Sequence, residues 1–321
     1  MENTMNFKDL MPFYKELKPR SYSYRFTVFT PVFNCEKSIL KVHESLLNQT
    51  FKDFEWLVIN DASTDKSHEV ITKLVASSPL KVRYINNLEN KHKMSCFLQA
   101  IALAEGEFLL PFDGDDECYP HALEVFNNEY EGISENLKPK VGAVTVLCND
   151  QYGNLIGEPF PENPLYCHTF EAKLNKQIIG EKWGFTKTDI LKDIVVNPDI
   201  LGRGYIFESI IWNTVARSGF LTKCVNQKLR IYNVGVEGSI MNTAMTSKNA
   251  FGPVLNGLSE LNWFFKDYFF KSPIYFLKTL YITLRSSTLL NYPLKAYLKA
   301  VDSFILKILI VVVWPFRGFM K

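Results

Sequence analysis

The chain lacks several things that would settle its class at once. Its 321 residues include six cysteines, Cys35, Cys96, Cys118, Cys148, Cys167 and Cys224, with no Cys-x-x-Cys pair among them. That scatter supplies neither a disulfide framework nor a zinc site, and a reducing cytoplasm suits it best. Strong net charge is missing too: the balance is +2, too small for a dedicated nucleic-acid binder. Residues 1–25 hold no apolar core of signal-peptide length, so export by that route is not expected. The longest apolar run, Phe304 to Phe316, is interrupted by Lys307. It falls short of the ~20 apolar residues that a membrane-spanning helix needs. Gly202-Arg203-Gly204 is too short for a dinucleotide fingerprint. His43, His68, His121 and His168 show no metal-ligand spacing.

What is present is a core-forming composition, 47% hydrophobic, with its charge unevenly placed. From Phe264 onward there are nine Lys or Arg against Asp267 and Asp302, a local charge of +7, and fourteen aromatics. A basic, aromatic, apolar tail reads as a membrane-surface element. Packing as a helical cap on the rest of the protein is the other reading. Lys271, Lys278 and Arg285 recur every seven residues, with Leu277, Leu280, Tyr281 and Leu284 expected on the opposite helix face. A second helix is expected from about Pro293, aligning Leu294, Leu298, Val301 and Ile305.

The first half alternates strand-like and helix-like runs. Strands are expected at Arg25–Thr30, Phe54–Ile59, Lys81–Ile85, Glu107–Phe112 and Val141–Leu147, and helices at Ser38–Leu47, Val70–Val75 and Ser95–Ala104. Such alternation builds βαβ units and a mostly parallel sheet flanked by helices, an α/β fold. Residues 150–200 are punctuated by Pro and Gly and read as a loop-rich region, followed by a helix at Glu208–Ser218.

Ligands of open parallel sheets sit beyond the carboxyl ends of the strands. Three strands here run into chemically loaded loops: Thr30-Pro31-Val32-Phe33-Asn34, Asn60-Asp61, and Asp113-Gly114-Asp115-Asp116. Three carboxylates within four residues repel one another unless a cation neutralises them. Oxygen-only ligation suits Mg²⁺ or Mn²⁺ shared with substrate phosphates; an acidic turn capping a helix near Tyr119 is the alternative. Asp61, at a strand end, can accept the N–H of a nucleobase or serve turn chemistry, and Asp65 reads as a helix N-cap. Trp183 in Gly180-Glu181-Lys182-Trp183-Gly184 is either a stacking platform for a sugar or a core anchor.

The order Thr30-Pro31-Val32-Phe33-Asn34, Ser45 to Phe51, Glu55 to Asp65, Ala104 to Phe108 and Asp113-Gly114-Asp115-Asp116 resembles the donor-binding half of family 2 glycosyltransferases. Asn60-Asp61-Ala62-Ser63 stands where that family has Asp-Asp-Gly-Ser, and Leu98 where it commonly has Asn.

The resemblance implies a GT-A fold and an inverting, metal-dependent transfer from a nucleotide-sugar donor. Pro31, Val32 and Phe33 would line the base and ribose pocket, and Asp61 would hold the base. Asp113, Gly114 and Asp115 would act through ribose and metal, with Asp113 and Asp115 as metal ligands. His92 would lie near the diphosphate. Counting back from Ala216-Arg217-Ser218-Gly219 puts Glu208 at the family's general base, with Ser209 there if the register slips by one. A charge at a helix N-terminus is the plainer role for Glu208. Asp116 and Trp183 are candidates on the acceptor side.

The expected organisation is an N-terminal extension (1–24), a transferase domain (25–262, donor half 25–120 and acceptor half 121–262) and the basic tail (263–321). The implied acceptor is a cell-envelope or lipid-linked glycan, reached on the cytoplasmic face of a membrane. A nucleotidyltransferase would need a Gly-rich basic loop after the first strand, which Pro31 to Cys35 is not. A non-catalytic scaffold would have no use for Asp61, Asp113, Asp115 and Glu208 together.

Overall fold

The computed structural model describes residues 6–174, 178–235 and 246–320; parts of the expected N-terminal extension, acceptor half and tail (1–5, 175–177, 236–245 and 321) lie outside them. The chain forms two compact units, each assembled from separate stretches. A sheet unit takes the described parts of 16–193 and 218–235, and a helical unit those of 6–15, 194–217 and 246–320. The division therefore differs from the expected one. The supposed extension is split between the units, and the tail joins residues 194–217 instead of standing alone.

The described strands are β1 (Phe13–Tyr14), β2 (Tyr24–Val32), β3 (Phe54–Asn60), β4 (Val82–Asn86), β5 (Gly106–Pro111), β6 (Glu117–Cys118), β7 (Val141–Asp150), β8 (Leu165–Cys167), β9 (Lys182–Lys187), β10 (Ile194–Val195) and β11 (Leu221–Tyr232). The sheet unit is built on one sheet of order β4-β3-β2-β5-β9-β7-β11-β6, with β8 also paired to β11. β4, β3, β2 and β5 are parallel neighbours, and β7 pairs parallel with β11. β9 lies antiparallel between β5 and β7. The mostly parallel sheet thus holds, and β9 and β11 are strands that the sequence reading left unassigned.

Apolar alternation explains where the core forms. Phe26, Phe108, Phe126, Trp183 and Phe185 are all buried on the same side, and the Phe108 and Phe185 rings stack at 4.2 Å. β3 is buried along its whole length, as a strand covered on both faces must be. Its one acid, Glu55, is neutralised by Arg83, which donates from Nε at 2.6 Å and Nη2 at 2.8 Å.

The helical unit packs around helices Phe251–Tyr268 and Pro273–Ser287. The first of these begins well before the expected tail boundary at residue 263, so that boundary falls inside a helix. In the second, Phe276, Leu280, Thr283 and Leu284 face inward, while Leu277 and Tyr281 are exposed together with Lys278 and Arg285. The expected single helix from Pro293 is two, Leu294–Ala300 and Phe304–Val313, divided where Val301 turns extended. Phe7 fills the centre against Phe251, Tyr292 and Tyr297.

Candidate active site

Because β3, β2 and β5 are adjacent and parallel, the loops after them emerge on one edge of the sheet. Backbone bonds fix their relative height: Asp61 N–H donates to Val32 O at 2.8 Å, and Phe112 N–H to Phe29 O at 2.8 Å. Side chains then stitch loop to loop. Ser63 Oγ accepts from Asn34 N–H at 2.9 Å, Asn34 Oδ1 from Thr64 N–H at 2.8 Å, and Ser67 Oγ from Cys35 N–H at 2.8 Å. Asp65 accepts from Glu36 N–H at 3.1 Å and from Ser67 N–H at 2.9 Å. The N-cap position itself is Lys66, so Asp65 braces the helix Ser67–Ser77 from one residue outside.

Among the described residues, three that are not glycine, Asn34, Ala62 and His92, adopt left-handed backbone at φ 57°, 57° and 66°. Asn34 and Ala62 lie in the loops just beyond β2 and β3, and His92 is the first residue of the helix that follows β4. Such conformations cost energy for L-residues, and their clustering marks loops shaped for a task. Ala62 stands where the family pattern has Gly, the residue that adopts this backbone without cost.

Val32 is buried, Pro31 partly so, and Phe33 exposed on the edge. Asp61 is buried at 4% exposure. Its Oδ1 accepts from Lys91 N–H at 2.9 Å and Asn87 Nδ2 at 3.4 Å, which fixes the carboxylate's orientation. Gly114 is pressed against the first loop: a Cβ there would meet Cys35 Sγ at 2.9 Å and Pro31 O at 3.2 Å. Ser38 Oγ donates to its carbonyl at 2.6 Å.

The acidic loop is held by two cations. Lys93 Nζ approaches Asp113 Oδ1 at 2.8 Å. Arg230, buried on β11, donates to Asp113 Oδ2 at 3.1 Å and from Nε to Asp116 Oδ2 at 2.7 Å, with a second bond to that oxygen from Nη2. Burial alone would raise the Asp113 carboxyl, but Lys93 and Arg230 prevail and bring it down to about 2. Burial pushes Asp116 up, with Arg230 opposing. Asp115 is pushed up by burial and then by the charge of Asp113. Among the described residues no ion pair to Asp115 forms.

The loop's three carboxylates therefore share two cations, one of which, Arg230, also lies 3.5 Å from Glu181, and Asp115 is left in excess. No ready-made group of three acidic, His or Cys ligands exists among the described residues. The donor set nonetheless fits a hard divalent ion that takes one or two carboxylates and completes its shell with phosphates and water.

Of the other expected residues, His92 is exposed at the start of the helix His92–Leu103, and Lys93, its neighbour, is the one that reaches the acidic loop. Asp116 is buried at 1% and acts as Arg230's anchor. Trp183 is a core anchor: 3% exposed, it donates from Nε1 to Pro111 O at 2.7 Å and packs on Phe112 and Phe126. Buried against these two rings, it has no open face for a sugar. Arg230 was missed by the sequence reading because nothing local marks it; its only sign is a cation in an otherwise apolar strand end, Leu229-Arg230-Ile231.

Glu208 belongs to the helical unit, directly before the helix Ser209–Arg217. Its carbonyl accepts from Ile211 N–H at 2.9 Å, so it stands at the helix's N-terminal end and is half-buried there.

A glycosyl transferase family 2 model matches residues 27–134. The chain is 29% identical over 129 residues to the putative glycosyltransferase EpsE of Bacillus subtilis, covering 40% of this chain and 45% of that one. To the chondroitin synthase of Escherichia coli it is 29% identical over 171 residues, 50% of this chain and 23% of that one. The chain thus spans less than half the length of these relatives. Among solved structures, S. aureus TarS 1–349 in complex with UDP-GlcNAc superposes with TM-score 0.59 at 17% identity, covering 92% of this chain and 87% of that one. GalNAc-T7 with UDP, GalNAc and Mn²⁺ gives 0.53 at 12% identity, covering 77% and 50%. At these identities the likeness is one of fold, the GT-A fold. The glycosyl transferase family 2 match over residues 27–134 takes in both Asp61 and the acidic loop.

Proposed function

We propose that this protein transfers a sugar, with inversion, from a nucleotide-sugar donor to a hydroxyl of a cell-envelope or lipid-linked glycan. The observation that carries the reading is the convergence of the Pro31–Asn34 loop, Asp61 and the Asp113–Asp116 loop on one sheet edge, all within the family match. Pro31, Val32 and Phe33 flank the nucleoside, and the oriented Asp61 carboxylate receives a base N–H. Asp113 and Asp115 would hold a divalent cation, Mg²⁺ or Mn²⁺, which when bound stabilises the charge of the departing nucleoside diphosphate. Lys93 and Arg230 keep Asp113 ionised and fixed in place, and exposed His92 is available to the diphosphate. Glu208, at its helix N-terminus, takes the proton of the acceptor hydroxyl as general base, a role that belongs to a carboxylate with an exact orientation.

The helical unit supports a second part of the reading, attachment to an anionic membrane surface. On the helix Phe304–Val313, Leu306 and Ile310 are buried, while Phe304, Ile305, Ile308, Val311 and Val312 form an exposed stripe that Phe316 and Phe319 continue. Exposed Lys271, Lys278 and Arg285 supply the matching charge. No described helix is long and apolar enough to cross a membrane, so the stripe would lie in the interface plane.

A panel of UDP-glucose, UDP-GlcNAc and GDP-mannose, each with Mn²⁺ and with chelator, tests the transfer reading by thermal shift and by nucleoside diphosphate release. The expected result is stabilisation and release with at least one donor in the presence of the ion. No response to any donor, with or without Mn²⁺, would overturn it.

A further inference from the structure

We propose that Asn256 and Glu260, on the helix Phe251–Tyr268, are positioning residues for Glu208, which makes that helix a part of the catalytic machinery. The inference rests on the reading of Glu208 as general base. The residues from which it is argued all lie within the helical unit.

The residue after Glu208, Ser209, donates from Oγ to Asn256 Oδ1 at 3.1 Å. One turn further along the same helix, Asn213 donates from Nδ2 to Glu260 Oε1 at 3.0 Å. Asn256 Nδ2 donates to that same oxygen at 3.0 Å, and Tyr275, from the next helix, donates to Oε2 at 2.6 Å. Ser209 and Asn213 are four apart, as are Asn256 and Glu260, so two facing helix stripes are matched turn for turn.

One turn before Asn256 comes Gly252, where a Cβ would lie 2.0 Å from Tyr205 O. Gly252, Asn256 and Glu260 therefore form one stripe that meets the backbone before Glu208, the side chain just after it, and the helix one turn beyond. That set fixes both the height and the rotation of the helix end that presents Glu208. Glu260 and Asn213 are each 2% exposed. Apolar residues of similar size would commonly pack such an interface with equal or better stability. A polar ladder instead specifies one orientation, which is what a general base needs: displacement by about 1 Å can cost two orders of magnitude in rate.

The test uses the full chain and whichever nucleotide-sugar the panel selects, with water as acceptor. Asn256→Ala and Ser209→Ala should each lower kcat roughly ten- to a hundred-fold, while donor KM and calorimetric affinity for the nucleoside diphosphate stay within about two-fold. Ser209→Thr, which keeps the hydroxyl, should restore the rate. Combined with Glu208→Gln, Asn256→Ala should cause no further loss, because it acts through Glu208. Ser209→Ala removes a single hydroxyl and is checked for folding by circular dichroism. Near-wild-type kcat in Asn256→Ala and Ser209→Ala, or losses fully additive with Glu208→Gln, would overturn the positioning role alone. Wild-type turnover by Glu208→Gln would overturn the base assignment and this inference with it.

Discussion

The acidic loop of the sheet unit and the polar ladder of the helical unit hold their carboxylates in opposite ways. In the first, Asp113 and Asp116 are answered by full cations, Lys93 and Arg230, at a sheet edge where Asp115 remains in excess. In the second, Glu260 is held by the side chains of Asn213, Asn256 and Tyr275, neutral donors arranged in a ladder. Charges set against charges can change partners when a phosphate or a metal ion arrives. A ladder of neutral donors has one arrangement and keeps it. The contrast suits a donor site that must fill and empty, and a helix that must hold still.

Substitutions can break that comparison, beginning with the largest effect. Arg230→Met leaves Asp116 and Asp113 without their shared buried cation and should cost about 3 kcal/mol or more in urea unfolding; a loss below ~1 kcal/mol would show that Arg230 does not hold the loop. Glu260→Gln keeps an acceptor for Asn213 and Asn256, so it should cost only ~1 kcal/mol. Equal losses in the two variants would erase the distinction drawn between the units.

A third substitution sharpens the account of the helical unit. Ile308→Asp with Val312→Asp places charge at two exposed positions of the stripe. Flotation with anionic liposomes should fall sharply while the unfolding midpoint stays put. Salt should release the wild-type protein only in part, since the basic share is screened and the apolar share is not. Unchanged flotation would remove the membrane from the account. The smallest effect is on the sheet unit: Ala62→Gly relieves a left-handed alanine and should stabilise by about 1 kcal/mol. A destabilised Ala62→Gly would mean that the loop tolerates φ 57° without strain.

The legible part of the molecule is the part whose chemistry is contiguous in sequence. Each of β2, β3 and β5 is an apolar run that stops at the polar residues it delivers, so strand, loop and function are read from one short window. β11 defeats that reading. Its Lys223 and Arg230 look like solvated residues, yet both are buried: Lys223 pairs with Glu129 at 2.7 Å and Arg230 with Asp116, 114 residues away in sequence. β9 fails for a related reason, since Gly184 is needed for close approach to Val144 O and reads locally as a loop signal. In the tail, helical periodicity placed Leu277 and Tyr281 opposite the basic residues with Leu280 and Leu284, yet only the last two are buried. Which edge of an apolar stripe is covered depends on the neighbouring helix, and the ladder beneath Glu208 is invisible for the same reason.

Calorimetric titration of UDP and of GDP into the full chain, with Mn²⁺ and then with chelator, tests the central claim most directly. The account predicts that one of the two binds with the ion present, and that its affinity falls at least about ten-fold (1.4 kcal/mol) when the ion is removed or when Asp61→Ala is introduced. Binding of neither nucleotide, or equal affinity with chelator, would contradict it.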